Sequence, residues 1–187
     1  SVFAQANDTL AKIKASGSIT LGVRESSGAL AYTLGDGKYV GFHTEMAERI
    51  TSDLRKQLGM TALDIKYQPV TSQNRIPLVT NGTVDLECGS TTNDANRQKD
   101  VAFAITTYVE EVRIAVKAKS GITGIKDLKG KTIATTTGTT SVQTLRKNKR
   151  AEGMEFKEVF GKDHADSFLL LETGRADAFV MDGSILA

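Results

Sequence analysis

Short apolar stretches alternate along the chain with longer stretches of helical period. Asp8 to Ala15 reads as a short helix, with Asp8 as N-cap and Gly17 as the stop. Ile19 to Val23 reads as a strand, Arg24 to Leu30 as a loop, and a hairpin follows that turns on Gly35-Asp36-Gly37. The clearest helix spans Phe42 to Leu58, where Met46, Ile50, Leu54 and Leu58 fall at i, i+4 spacing and Gly59 ends the run. Leu63 to Tyr67 is a strand, Arg75 to Thr80 a short helix with Pro77 in its first turn, and Val84 to Cys88 a strand. The same grammar restarts downstream. Thr132 to Thr136 is a strand, Gly138-Thr139-Thr140 leads into a helix from about Ser141, Phe168 to Thr173 is helical with Gly174 as its stop, and Ala178 to Met181 is a strand. Strands alternating with helices predict an α/β fold with mostly parallel sheets.

An internal repeat refines this expectation. Leu78, Gly82 and Asp85 recur as Leu170, Gly174 and Asp177 at a constant offset, and both segments read as helix, C-cap glycine, then strand. At the same offset Ser72 matches His164 and Ser90 matches Asp182. Two similar lobes would each offer a polar residue at the C-terminal end of equivalent strands, where open α/β sheets bind ligands. Thr107 to Lys117 reads as extended, contains no Gly or Pro and lies between the two units, so it is the candidate hinge connector.

Composition removes several classes of function. With 40% hydrophobic and 25% charged residues, the chain has ordinary globular values, and no apolar run approaches a membrane span. A net charge of +2 with scattered Lys and Arg argues against nucleic acid. Trp is absent and aromatics are 6%, which leaves little for base stacking or an aromatic cage. Gly130-Lys131-Thr132 resembles the end of a phosphate-binding loop, but Ile125 stands where its first Gly belongs, and the motif precedes a strand instead of following one. His43, His164 and Cys88 have no metal-ligand spacing, and no cofactor motif is present. Cys88, the lone cysteine, lies in an apolar strand where burial is the simplest role. Ser1-Val2-Phe3-Ala4-Gln5-Ala6 ends in a small-x-small pattern compatible with a removed signal peptide.

The stretches Thr71-Ser72-Gln73-Asn74-Arg75-Ile76-Pro77-Leu78 and Asn81 through Thr92 resemble the polar amino-acid solute-binding proteins of ABC importers, and more narrowly the glutamate/aspartate-binding branch. Asp127-Leu128-Lys129-Gly130-Lys131, Gly138-Thr139-Thr140-Ser141 and Gly174 through Phe179 extend the resemblance over nearly all of residues 9–187. It implies a bilobed type II periplasmic-binding-protein fold: two α/β lobes around a cleft, residues 1–110 and 111–187, joined by a β-strand hinge near 107–117. It also implies a periplasmic location, L-glutamate or L-aspartate as ligand, ABC importer membrane subunits as partners, and no catalysis.

A free amino acid is a zwitterion and needs donors at one end and an acceptor at the other. Arg97 suits the α-carboxylate through two parallel N–H bonds. Thr140, at a helix N-terminus, offers backbone N–H groups or serves as a simple cap. Ser90 and Thr92 lie just past a strand end and add hydroxyls, or simply form a turn. Asp182 would accept the ammonium; a loop Asp is otherwise a turn former. Arg24 stands where relatives for cationic amino acids resemble an acid, a reversal that suits a side-chain carboxylate. Arg75, Ser72 and His164 resemble the rest of that pocket. Several arginines around a neutral ligand would repel one another and stay unpaired, so an anionic ligand is expected and glutamine should be rejected.

Some positions depart from the resemblance. Ala29-Leu30 stands where many relatives have Pro-Phe, and His43-Thr44-Glu45 replaces a more acidic pattern. Relatives continue beyond the position of Ala187, so the expectation is a fragment or a second chain completing the fold, with Cys88 left as a free thiol because its partner in that branch lies in the later portion. An enzyme on the same scaffold, dehydratase-like, would draw on His164 or Glu25 as acid or base, and a receptor sensor module is a further alternative.

Overall fold

The computed structural model describes residues 8–187, so the signal-peptide expectation at residues 1–6 lies outside the described residues. In chain order the elements are α1 (Thr9–Ser16), β1 (Ser18–Val23), β2 (Ser26–Ser27), β3 (Ala31–Gly35), β4 (Lys38–Val40), α2 (Phe42–Gln57), β5 (Asp64–Pro69), α3 (Arg75–Thr80), β6 (Leu86–Glu87), β7 (Val112–Val116), β8 (Thr132–Thr136), α4 (Thr140–Ala151), β9 (Lys157–Gly161), α5 (His164–Glu172), β10 (Ala178–Asp182) and α6 (Gly183–Leu186). Single 3-10 turns cover Gly28–Leu30, Arg97–Lys99 and Ile125–Leu128.

Two parallel sheets carry the two lobes. The first has the order β5-β1-β6 and the second β7-β10-β8-β9, with only β7 antiparallel to its neighbour. In each lobe the first of the parallel strands is central: β1 lies between β5 and β6 as β8 lies between β9 and β10. A small antiparallel sheet, β2-β3-β4, is appended to the first lobe and contains the expected hairpin.

The repeat is visible in the backbone. Val84 N–H bonds Leu78 C=O at 2.9 Å, and Ala176 N–H bonds Leu170 C=O at 2.9 Å. The Asp85 carboxylate accepts from the backbone N–H of Thr20 at 2.8 Å, and Asp177 accepts from Thr132 at 2.8 Å. Each Asp thus ties its helix-to-strand turn to the start of the central strand.

Packing of the two sheets differs. Ile13, Ile19, Leu21, Val23 and Ala47 form one cluster in the first lobe. In the second, Leu128, Ile133, Leu145, Met154 and Phe156 cover one face, while Ala134, Leu171, Ala176, Phe179 and Met181 fill the other. A strand buried on both faces reads as a continuous apolar run, which is why β10 was plain in the sequence.

Two expectations need correction. On α2 and its C-cap, Leu54 and Leu58 pack against the core as the spacing suggests, but the buried residues of the helix are His43, Thr44, Ala47 and Thr51, and Ile50 is 42% exposed. The helix tolerates this polar face because the Thr44 and Thr51 hydroxyls donate to the carbonyls of Val40 and Ala47, four residues back. The extended stretch from Thr107 to Lys117 pairs as a strand only from Val112 to Val116. Among the described residues no helix is long and apolar enough to cross a membrane.

Candidate functional site

The nine candidate residues sit at the C-terminal ends of the parallel strands and the helix starts beyond them. Arg24 follows β1, Ser72 lies between β5 and α3, Arg75 opens α3, and Ser90 and Thr92 follow β6. Arg97 opens the 3-10 turn beyond, Thr140 and His164 are the first residues of α4 and α5, and Asp182 ends β10. The cap of α4 is Thr139, one residue before the expected Thr140, and its hydroxyl donates to the carbonyl of Thr136 at 2.8 Å.

Ser90 is the junction of the first lobe's wall. Its Oγ accepts from Arg24 Nη1 at 3.2 Å and from Arg75 Nη1 at 3.5 Å, and it exchanges a bond with Ser27 Oγ at 3.1 Å. One proton and two lone pairs saturate a hydroxyl, so Ser90 has nothing further to offer. Arg24 is fully buried and Arg75 is 2% exposed, yet the Nε of each has no partner. Ser72 Oγ and His164 Nε2 are likewise buried without a partner. Buried donors are normally satisfied, and several orphans converging on one cleft mark a place built for something else.

The charges agree with that picture. Burial pulls the Arg75 guanidinium down to about 9, with Arg24 and Arg97 pushing the same way and Glu87 and Asp182 opposing. It remains a cation at neutral pH. Burial, with the cations of Arg24 and Arg75, holds the His164 imidazole down at about 3 against the pull of Asp163. His164 is therefore neutral, with Nδ1 bonded to Thr136 Oγ1 at 2.9 Å. Burial and the neighbouring Glu110 raise the carboxyl of Asp182, partly offset by Arg75, Ser141 and Arg97. Burial also lowers Arg97.

The two walls touch. Arg97 Nη1 donates to Thr92 C=O at 2.9 Å and its Nη2 crosses to Gly138 C=O at 3.1 Å. Thr92 and Thr140 hydroxyls meet at 3.3 Å. At Gly138, with φ of +82°, a Cβ would stand 2.6 Å from Gln73 Cα, so only glycine allows this approach. A solvent recess of about 570 Å³ flanks the closed cleft and touches it only at Arg97, Gly138 and Thr139.

Several residues of the site carry no sequence signal. Asp163, just before α5, pairs with Arg24 at 2.5 Å across the cleft. Glu87 accepts from Thr91 at 2.6 Å and acts electrostatically on both Arg75 and Arg97. His43 links the Gly89 carbonyl, at 2.6 Å, to the Thr107 hydroxyl, at 3.0 Å, and so ties the site's rim to the connector. Cys88 is half-buried and free, with its thiol pushed up to about 12 by burial and by Glu87. Among the described residues no cluster of His, Cys, Asp and Glu has the makings of a metal site.

Two α/β lobes closed on a buried, polar, partly unsatisfied cleft define a bilobed binding fold of the type II periplasmic kind. The chain belongs to the bacterial extracellular solute-binding proteins, family 3, whose family model matches residues 19–170. It is 44% identical over 180 residues to an L-glutamate/L-aspartate-binding protein of Pseudomonas aeruginosa, covering 95% of this chain and 59% of that one. It is 43% identical over 182 residues to the glutamate/aspartate import solute-binding protein of Escherichia coli, covering 97% and 60% respectively. A solved structure of a solute receptor for L-cysteine from Neisseria gonorrhoeae superposes with a TM-score of 0.83 at 26% identity, over 95% of this chain and 69% of that one. The chain thus spans about 60% of the length of the curated relatives it matches.

Proposed function

We propose that this protein is a periplasmic solute-binding protein that captures L-glutamate or L-aspartate and delivers it to an ABC importer. The observation that carries the reading is the set of buried donors left without acceptors. Arg24 Nε and Arg75 Nε are orphaned beside the buried hydroxyl of Ser72 and the neutral ring of His164. A carboxylate supplies several acceptor sites at once and neutralises a buried cation, whereas a carboxamide offers fewer acceptors and no charge. On this reading Arg24, Ser72, Arg75 and His164 hold the side-chain carboxylate, with Ser90 positioning the two arginines. Arg97, Thr92 and Thr140 hold the α-carboxylate, and Asp182 takes the ammonium. The names of the relatives support the same ligand class.

The protein binds and does not transform, in our reading. A His held at about 3 is a poor general base at neutral pH, and the other candidate, Glu25, is exposed. The stretch 107–117 serves as the hinge between lobes 1–110 and 111–187. Isothermal titration calorimetry with L-glutamate, L-aspartate and L-glutamine tests the ligand, with recovery of unchanged ligand as a check on turnover. An acidic amino acid should bind at least about a hundredfold more tightly than glutamine. Equal affinity for glutamine would overturn the assignment.

A further inference from the structure

Asp163 occupies the N-cap of α5, where an Asp side chain ordinarily accepts from the N–H two or three residues on. Here it makes no such bond. Its carboxylate faces the opposite lobe, with Oδ1 on Arg24 Nη2 and Oδ2 accepting from Ser26 Oγ at 3.0 Å. The capping bond is not lost, because Ala165 N–H, second in the helix, donates to the same Ser26 Oγ at 3.2 Å. Ser26 belongs to β2 of the first lobe, so the second lobe's helix is capped from across the cleft.

We infer that Asp163 and Ser26 form a cap-exchange latch that holds the lobes shut; this rests on reading the cleft as a closing binding site. In the closed state Ser26 caps α5 and frees Asp163 to neutralise Arg24, which is completely buried. When the lobes part, Ser26 and Arg24 leave together. The carboxylate of Asp163 then needs only a side-chain rotation to cap its own helix, and Arg24 gains water. In both states Ala165 N–H keeps an acceptor, so opening costs no helix cap and a ligand's differential affinity can decide between them. The latch also explains a carboxylate beside a pocket proposed for anions: it is a positioning group acting through Arg24, not a group that touches the ligand. His164 follows it directly in the chain, which joins the latch to the pocket.

Three variants of the protein test this by stopped-flow binding of L-glutamate and small-angle X-ray scattering without ligand. Asp163→Asn keeps the helix cap but loses the ion pair. Its affinity should fall about ten- to a hundredfold, nearly all in the dissociation rate, and the ligand-free protein should expand. Ser26→Ala should lose about three- to tenfold in the same rate. Asp163→Glu keeps the charge and should fall between wild type and Asp163→Asn. Far-UV circular dichroism identifies any variant that fails to fold, and Ser26→Ala then carries the test. Equal or tighter binding by Asp163→Asn with unchanged dimensions overturns the latch, since it makes Asp163 merely a repulsive neighbour of the ligand. If wild-type protein ignores glutamate, the ligand assignment fails while the scattering comparison still judges the latch.

Discussion

The two lobes share a turn but not a chemistry. Helix, left-handed glycine, strand and an Asp bonded to the central strand's first residues occur at Gly82 and Asp85 and again at Gly174 and Asp177. At the cleft-facing positions on either side of that turn, the likeness stops. Ser72 is answered by His164 and Ser90 by Asp182. The first lobe brings three arginines to the cleft, two of them almost wholly buried, while the second brings carboxylates, a neutral imidazole and two helix starts. The duplicated backbone thus places polar groups opposite one another, and divergence at a few positions gives one wall of arginines and another of carboxylates and a neutral imidazole. A scaffold held by backbone bonds tolerates such divergence, because the bonds that define the turn do not involve the side chains that face the cleft.

The sharpest way to break this comparison is to remove the charge of the first wall. Arg75→Met keeps the length and apolar stem but deletes a buried cation whose side-chain hydrogen bond is a 3.5 Å contact with Ser90 and whose Nε has no partner. Affinity for L-glutamate, read by calorimetry, should fall by about a hundred- to a thousandfold. Stability should move the opposite way and rise by about 1–2 kcal/mol in urea denaturation without ligand, because an unsatisfied buried charge has been replaced by a packed side chain. Retained affinity, or a loss of stability, would show that Arg75 is a structural cation.

A smaller effect separates His164 from its counterpart Ser72, which does not titrate. With its folded value near 3 and its ordinary value at 6.5, the imidazole is protonated in the unfolded chain but not in the folded one between those limits. The unfolded state then binds more protons, so this group lowers stability as pH falls through 6.5 towards 3, with a slope approaching about 1.4 kcal/mol per pH unit. Asp182, raised by burial and Glu110, works with the opposite sign, so the comparison must be between variants. In urea titrations at pH 7 and pH 5, wild type should lose about 1–2 kcal/mol more than His164→Asn over that interval. Identical losses would mean that His164 takes up its proton while folded.

How much of this could be read from the chain depended on whether a position was set by its neighbours in sequence or by the other lobe. Strands β8 and β10 of the second sheet, buried on both faces, and the short helix at Pro77 were legible from local pattern. The repeat was legible because the turn needs Leu, Gly and Asp at fixed spacing. Strand β9 was missed, since an edge strand with charged residues at its start shows little periodicity. The buried face of α2 was legible only in part, at Leu54 and Leu58, because hydroxyls bonded within the helix replace apolar residues at Thr44 and Thr51. Asp163 and Ser26 were invisible for another reason. Their partners lie 137 to 139 positions away, and each residue alone reads as an ordinary cap or loop residue.

The smallest test asks whether the shared turn is equivalent in energy as well as in shape. Gly82 and Gly174 have φ of 77° and 74°, and their N–H groups bond Val79 and Leu171 carbonyls, both at 3.1 Å. At Gly174 a Cβ would meet nothing within 4 Å, so an alanine there suffers only from the left-handed backbone. Gly174→Ala should therefore cost about 1 kcal/mol in urea denaturation, and Gly82→Ala about the same. Gly174→Asn should cost less than Gly174→Ala, because Asn adopts this conformation more readily. A Gly82→Ala loss well above that of Gly174→Ala would mean that the first lobe's turn also depends on packing. The repeat would then be a likeness of hydrogen bonds alone, and the divergence of the two lobes would begin before the strand ends.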